Sequence, residues 1–237
     1  MSLEANIPCA GRRIVVAIDG PAGAGKSTIA SRLAARFGLL NLETGAMYRA
    51  FALKALRLGL ALDDSQCLEA LAAETAIHLE AGEGENRVLL DGEEVTGLIR
   101  NPTVTEAASR VSVHPAIRVW MVGLQQQLGA QGGVVMEGRD IGTVVFPNAE
   151  VKIFLDADPE IRGQRRYDQM GKPATTQEAI VRDLRSRDER DRNRADSPLR
   201  PAADAVLLDS TYLSLDETVA AAEAIVAARL GQQQAAS

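Results

Sequence analysis

Ile14-Val15-Val16-Ala17-Ile18-Asp19-Gly20-Pro21-Ala22-Gly23-Ala24-Gly25-Lys26-Ser27-Thr28 is the stretch that decides the fold of this 237-residue chain. Five apolar residues in a row, ended by Asp19-Gly20, read as a short strand buried on both faces, the kind found in parallel sheets. From Ser27 to Phe37, apolar residues recur with helical spacing at Ile29, Leu33 and Phe37, and Gly38 supplies a C-terminal stop. Between strand and helix, residues 20–27 fit G-x-x-x-x-G-K-[ST] in full, in the context that gives this motif meaning. Its glycines let backbone N–H groups converge on phosphate oxygens, and the helix N-terminus adds partial positive charge. Lys26 is placed to reach β- and γ-phosphates, and Ser27 to offer a hydroxyl to Mg²⁺. Gly20, Pro21, Ala22, Gly23, Ala24, Gly25, Lys26, Ser27 and Thr28 are therefore the candidate ATP-binding loop. The loop says nothing about what accepts the phosphate.

Bulk properties narrow the field. Hydrophobic residues make up 46% and charged residues 24%, ordinary for a globular protein, whereas aromatics are only 3%, so aliphatic side chains and alanine must fill the core. A net charge of −6 argues against nucleic acid as a partner, and any anion site must be local. Cys9 and Cys67 form no CxxC pair and suggest neither metal nor disulfide. No apolar stretch reaches membrane-spanning length, and the N-terminus lacks a charged region followed by an apolar run, so a cytoplasmic protein is expected. The chain lacks an Asn-Lys-x-Asp guanine-reading signature and is short for a motor with tandem cores. A small kinase is the favoured class.

Further along, the spacing predicts helices over 46–58, capped by Thr44, and over 65–76. Ile77-His78-Leu79 and Val88-Leu89-Leu90 read as short antiparallel strands joined by turns at Gly82-Glu83-Gly84 and Asp91-Gly92. Helix returns over 102–128, with a break at His114-Pro115. Further parallel strands are expected at 133–136, 151–155 and 206–208, a long charged helical stretch over 159–200, and a last helix over 214–230.

Three segments carry chemistry. Leu42-Glu43-Thr44-Gly45-Ala46-Met47-Tyr48-Arg49 sits at a helix start, where N–H groups and Arg49 can hold an anion; an ordinary capped helix is the alternative. Glu137-Gly138-Arg139-Asp140-Ile141-Gly142 follows a strand, where α/β sheets bind ligands, or is a solvated turn. In Arg187-Asp188-Glu189-Arg190-Asp191-Arg192-Asn193-Arg194, residues 187, 191 and 194 fall on one helical face, although such charge runs are usually solvated.

Together these segments resemble the bacterial cytidylate kinase family. The resemblance rests on the loop at 20–28, Thr44-Gly45-Ala46-Met47-Tyr48-Arg49, Gly138-Arg139-Asp140 with the following 141–147, and residues 187–201 ending Pro198-Leu199-Arg200-Pro201, and it extends over about 13–230. It implies an α/β, three-layer P-loop kinase fold with a parallel central sheet, a small antiparallel β insert and a short helical lid. The implied divisions are a core at 13–60 and 113–230, a monophosphate-binding insert at 61–112, a lid at 158–176, and flexible tails at 1–12 and 231–237. It also implies roles. Thr44, Arg49, Arg139 and Arg194 would hold the acceptor phosphate, Arg187 and Asp191 the ribose, and Ser109, Arg118 and Asp140 the cytosine. Arg165 and Arg166 would close over ATP. Lys26, Arg49, Arg139 and Arg194 would carry catalysis by charge neutralisation. The implied reaction is γ-phosphoryl transfer from Mg-ATP to CMP or dCMP by a monomer. The family usually has Asp where Glu43 and Glu137 stand, and some members have Ser in place of Thr44. Another small-molecule kinase, acting on UMP or a non-nucleotide acceptor, and a non-catalytic nucleotide switch remain the alternatives.

Overall fold

The computed structural model describes residues 13–80, 86–171 and 175–235. The tail at 1–12, Cys9 and the turn at Gly82-Glu83-Gly84 lie outside them. In chain order the first half contains β1 (Val15–Asp19), α1 (Lys26–Phe37), β2 (Leu40–Glu43), α2 (Thr44–Arg57), α3 (Ser65–Ala73), β3 (Ile77–Glu80), β4 (Arg87–Leu90), β5 (Glu93–Glu94) and α4 (Pro102–Val111). The second half contains α5 (Pro115–Gly129), β6 (Val134–Gly138), a π-helical turn (Ile141–Val145), β7 (Val151–Asp156), α6 (Pro159–Gln169), α7 (Gln177–Arg192), β8 (Val206–Asp209) and α8 (Leu215–Ala235).

β1 is buried along its whole length and lies at the centre of a five-stranded sheet of order β2-β6-β1-β7-β8. Every pairing in that sheet is parallel. Because side chains alternate across a strand, β1 feeds two layers. Val16 and Ile18 pack with Ile29 and Leu33 of α1 and Val226 of α8. Val15 and Ala17 face Leu42, Met136 and Val145 on the other side. The register sets Asp19 level with Gly138, and Glu43 level with Glu137, so three strands end together. Helices α1 and α2 and the π-helical turn all begin near this carboxyl edge, where a crevice forms.

A second core joins α2, α3, α4 and α5 to the small antiparallel sheet β3-β4-β5. Phe51 is its anchor, fully buried with its ring centroid 5.2 Å from that of Trp120. Truncating it to alanine would cost about 3–5 kcal/mol.

Several expectations are corrected. The long charged helical stretch divides into α6 and α7 and ends at Arg192, short of the expected residue 200. Helix α3 stops at Ala73, because the Ala76 N–H turns to the Asp91 carboxylate and starts β3. The insert has a third strand, β5. Helix α8 continues to Ala235, past the stop expected at Gly231. Thr44 does not cap α2. Glu43 occupies that position without a side-chain cap, while the buried Thr44 hydroxyl donates to the Glu137 carbonyl at 2.7 Å. Arg194 is not on the face of α7, which ends at Arg192 with Asn193 as its cap. The break at His114-Pro115 is present, with Pro115 opening α5.

Candidate active site

The phosphate loop lies directly against β7. Gly20 has φ +152°, and a Cβ there would sit 1.9 Å from the Leu155 carbonyl oxygen, so only glycine lets the chain pass. Gly25 has φ +94° and is the N-cap of α1, which leaves the first N–H groups of the helix facing the loop. The Lys26 side chain folds back along the loop, and its Nζ donates to the Pro21 carbonyl at 2.7 Å. Burial, then the nearby Arg139, push the Lys26 pKa well below the usual lysine range, against Glu137 and Asp19. A bound polyphosphate would reverse that balance.

Asp19, at the end of β1, accepts from the Ile141 N–H and the Gly142 N–H, both at 2.7 Å. It thereby caps the π-helical turn that follows Asp140. Burial raises its pKa to about 6, although the two backbone bonds oppose the shift. Glu137 is also raised, first by burial and then by the neighbouring Glu43, while Lys26 and Ser27 pull the other way.

The loop opens into one cleft of about 660 Å³. Ala22, Gly23, Gly25, Lys26, Ser27 and Thr28 line one end. Gly20, Pro21 and Ala24 belong to the loop but do not line the cleft. Thr44, Arg49, Arg139 and Arg194 line the facing side, with Arg187 and Asp191 alongside and Ser109, Arg118 and Asp140 completing the wall. Arg165 and Arg166 border the cleft, but the Arg165 guanidinium donates to Ser210 Oγ at 3.1 Å and to the Ser210 and Leu213 carbonyls at 2.6 and 3.1 Å. Arg166 is exposed.

The facing wall is a set of ion pairs. Arg139 Nε donates to Asp191 at 2.9 Å, and Arg194 lies 3.7 Å from the other oxygen of Asp191. Arg118 pairs with Asp140 in a buried contact, and its Nη1 also donates to the Ser112 carbonyl at 3.2 Å. Arg49 pairs with Glu43, which also has Arg100 at 3.5 Å. Burial lowers the Arg187 pKa with help from Arg139, and lowers that of Arg194 with help from Arg118. For Arg139 burial works in the same direction, but Asp191 and Glu137 outweigh it and its pKa is raised. Polar atoms are left over: Ser109 Oγ, Tyr48 Oη and the Nε atoms of Arg49, Arg118, Arg187 and Arg194 are buried without a hydrogen-bond partner. A protein rarely leaves so many unsatisfied groups in one place unless a ligand completes them. Crowded, desolvated guanidinium groups suit an anionic ligand.

Sequence reasoning missed Tyr48, whose hydroxyl burial raises to about 12, and the buried residues Asp19, Arg162 and Asp188. Asp19 stood in the sequence only as the end of a strand, and the other two were lost in charge runs.

Comparison with known proteins identifies the family. The sequence model of the family described as cytidylate kinase matches residues 16–228. A cytidylate kinase of Syntrophotalea carbinolica is 48% identical over 221 residues, covering 92% of this chain and 94% of that protein. One from Solibacter usitatus is 50% identical over 223 residues, again covering 92% and 94%. Among solved structures, a gluconokinase from Sinorhizobium meliloti is 15% identical, covers 94% of this chain and 97% of its own, and superposes with a TM-score of 0.50, which speaks for the kinase fold alone. A match that runs across almost the whole chain shows that this chain belongs to the cytidylate kinase family and is a nucleoside monophosphate kinase, a phosphotransferase.

Proposed function

We propose that the cleft transfers the γ-phosphoryl group of ATP to the phosphate of CMP or dCMP, giving ADP and CDP or dCDP. The observation that carries this reading is that the Lys26 loop and the Arg49, Arg139 and Arg194 cluster line the same cleft. An oxygen of the acceptor phosphate attacks the γ-phosphorus, a new P–O bond forms, and the bond to the β-bridging oxygen breaks. Little covalent help is needed, so alignment and charge neutralisation carry the catalysis. Lys26 holds the β- and γ-phosphates. Arg49, Arg139 and Arg194 hold the acceptor phosphate, with Thr44 at the helix start, and each arginine exchanges a carboxylate or carbonyl partner for it. Arg187 and Asp191 take the ribose hydroxyls.

Asp140, oriented by Arg118, accepts from the exocyclic amine of cytosine, and the unpartnered Ser109 hydroxyl completes the base contacts. Uracil presents a carbonyl at that position, which a carboxylate repels. The Ser27 hydroxyl, with the Glu137 carboxyl nearby, offers the hard oxygen donors that suit Mg²⁺. Among the described residues no cluster of three or more His, Cys, Asp or Glu could hold a metal, so most of the ion's ligands would come from phosphate and water. The ion supplies charge neutralisation on the phosphates when bound. The segment 158–176 acts as a lid excluding water, 61–112 as the monophosphate-binding insert, and the enzyme works as a cytoplasmic monomer.

The test is ADP release with Mg-ATP and each nucleoside monophosphate in turn. The expected result is turnover with CMP and dCMP far above that with UMP, AMP and GMP. Equal rates with UMP would overturn the base-reading assignment, and no acceptor-dependent rate would overturn the reaction itself.

A further inference from the structure

The cleft has a buried element that none of these roles uses. Ala22, in the middle of the phosphate loop, has both faces of its peptide environment occupied by side chains from far along the sequence. Its N–H donates to Asp188 Oδ1 at 2.9 Å, and its carbonyl accepts from Arg162 Nη1 at 2.8 Å. The same Arg162 Nη1 donates to Asp188 Oδ2 at 2.6 Å, and Arg162 Nε donates to the Ala157 carbonyl at 2.8 Å. Both residues are 1% exposed. A buried carboxylate beside a triphosphate site would repel the ligand unless neutralised, and Arg162 neutralises it here.

The two side chains come from different helices of one arm. Arg162 is on α6 and Asp188 on α7. These helices are in very close contact: a Cβ on Gly163 would lie 2.2 Å from Val181 Cγ2, so glycine is what lets them approach. Ala22 itself packs with Ile180 and Leu184 of α7. The next residues of α7 on the cleft side are Arg187 and Asp191, which line the acceptor half, and Asp191 holds Arg139. The loop that receives ATP and the helix that supplies acceptor contacts are thus joined through the backbone N–H and carbonyl of one residue, Ala22.

We propose that Asp188 and Arg162 are positioning residues that lock the phosphate loop to the α6–α7 arm, so that the donor and acceptor halves of the cleft are held in register as one unit. The inference rests on the kinase reading above. A clamp of the loop alone would serve only ATP. A clamp on the arm serves both substrates, since displacement of α7 carries Arg187 and Asp191 with it. Misplacement of such groups by a fraction of a bond length is enough to impair phosphoryl transfer.

Three variants test it: Asp188→Asn, which keeps the shape but faces Arg162 with a donor; Arg162→Lys, which keeps the charge but loses the fork; and the double variant Arg162→Met/Asp188→Leu, which removes both buried charges and so keeps the test open if a single variant fails to fold. Thermal unfolding establishes that each is folded, and initial rates are measured over a grid of ATP and CMP concentrations. The expected result is that KM rises for both ATP and CMP, that kcat/KM falls roughly 10²-fold, and that the double variant regains thermal stability without regaining either KM. Folded variants with both KM values within about twofold of the unmodified protein would show the pair to be merely structural, and a rise confined to ATP would restrict it to shaping the loop; either overturns the proposal. An unmodified protein without CMP-dependent turnover would overturn the kinase reading and this one with it, whereas an active protein with unmoved KM values overturns only the clamp.

Discussion

In the proposed function the two ends of the cleft solve the same problem, holding phosphate, by different means. The donor end is made of backbone. Its geometry comes from consecutive residues 20–27, Gly20 is required by close approach to β7 and Gly23 and Gly25 by their positive φ, and Lys26 is the single cation the loop contributes. The acceptor end is made of side chains. Arginines from α2, α5, the end of β6, α7 and the segment beyond it converge there; Arg49, Arg118, Arg139 and Arg194 are held by a carboxylate or carbonyl, and several are left with an unpartnered nitrogen. A backbone cradle is sequence-tolerant and non-selective toward the base. A side-chain cradle can be specific, but it must be held together by ion pairs that the ligand then displaces.

That contrast can be broken at four points. The largest effect belongs to the donor end. Lys26→Ala removes the loop's own cation, and kcat should fall roughly 10³-fold in an ADP-release assay; near-normal turnover would mean that the backbone suffices and Lys26 does not act on the phosphates. Next comes selectivity at the acceptor end. Asp140→Ala should lower the ratio of kcat/KM for CMP over UMP by roughly 10²-fold while leaving KM for ATP in place, and an unchanged ratio would remove Asp140 from base reading.

A third test concerns the carboxylate between the two ends. The Asp19 carboxyl is held at about 6 against an ordinary 3.8. In the window between these values the folded protein keeps a proton that the unfolded chain has released. This contribution to stability is fully present below about pH 4 and is lost as pH rises through about 6, and amounts to on the order of 2–3 kcal/mol. Denaturant unfolding of the unmodified protein and of Asp19→Asn at several pH values should show this slope in the first and not in the second; parallel curves would mean that Asp19 is ionised throughout. The smallest effect is expected at the rim. Arg166→Ala should raise KM for ATP only about two- to fivefold and leave KM for CMP unchanged, because the side chain is exposed and screened; an effect as large as that of Lys26→Ala would move Arg166 from rim to catalytic core.

The donor end was legible in the sequence because everything it needs is local. A buried strand, a glycine loop and a helix start follow one another within fifteen residues, and each segment's pattern agrees with the next. The arginines of the acceptor end were legible as candidates through the family resemblance, and the structure brings them to one cleft. Their local settings were not. Thr44 has the composition of a helix cap, yet burial against β6 turns its hydroxyl to the Glu137 carbonyl. Arg194 has helical spacing from Arg187, yet the chain leaves the helix at Asn193, and Arg194 Nη2 donates to the Ser197 carbonyl at 2.8 Å. The π-helical turn after Asp140 had no signal, because the carboxylate that accepts from its first N–H groups lies 122 residues earlier.

The sequence by itself determined that this chain has a parallel α/β core, a loop for a nucleoside triphosphate, and motifs in the order of the cytidylate kinase family. These are properties of short segments, where backbone geometry and side-chain spacing are set within a few residues. Only the tertiary structure decided which carboxylate holds which arginine, where Asp19 acts, and that Asp188 reaches Ala22 across 166 residues of chain. Hydrogen bonds between residues so far apart depend on how helices and strands pack, and packing is a property of the whole fold that no local pattern encodes.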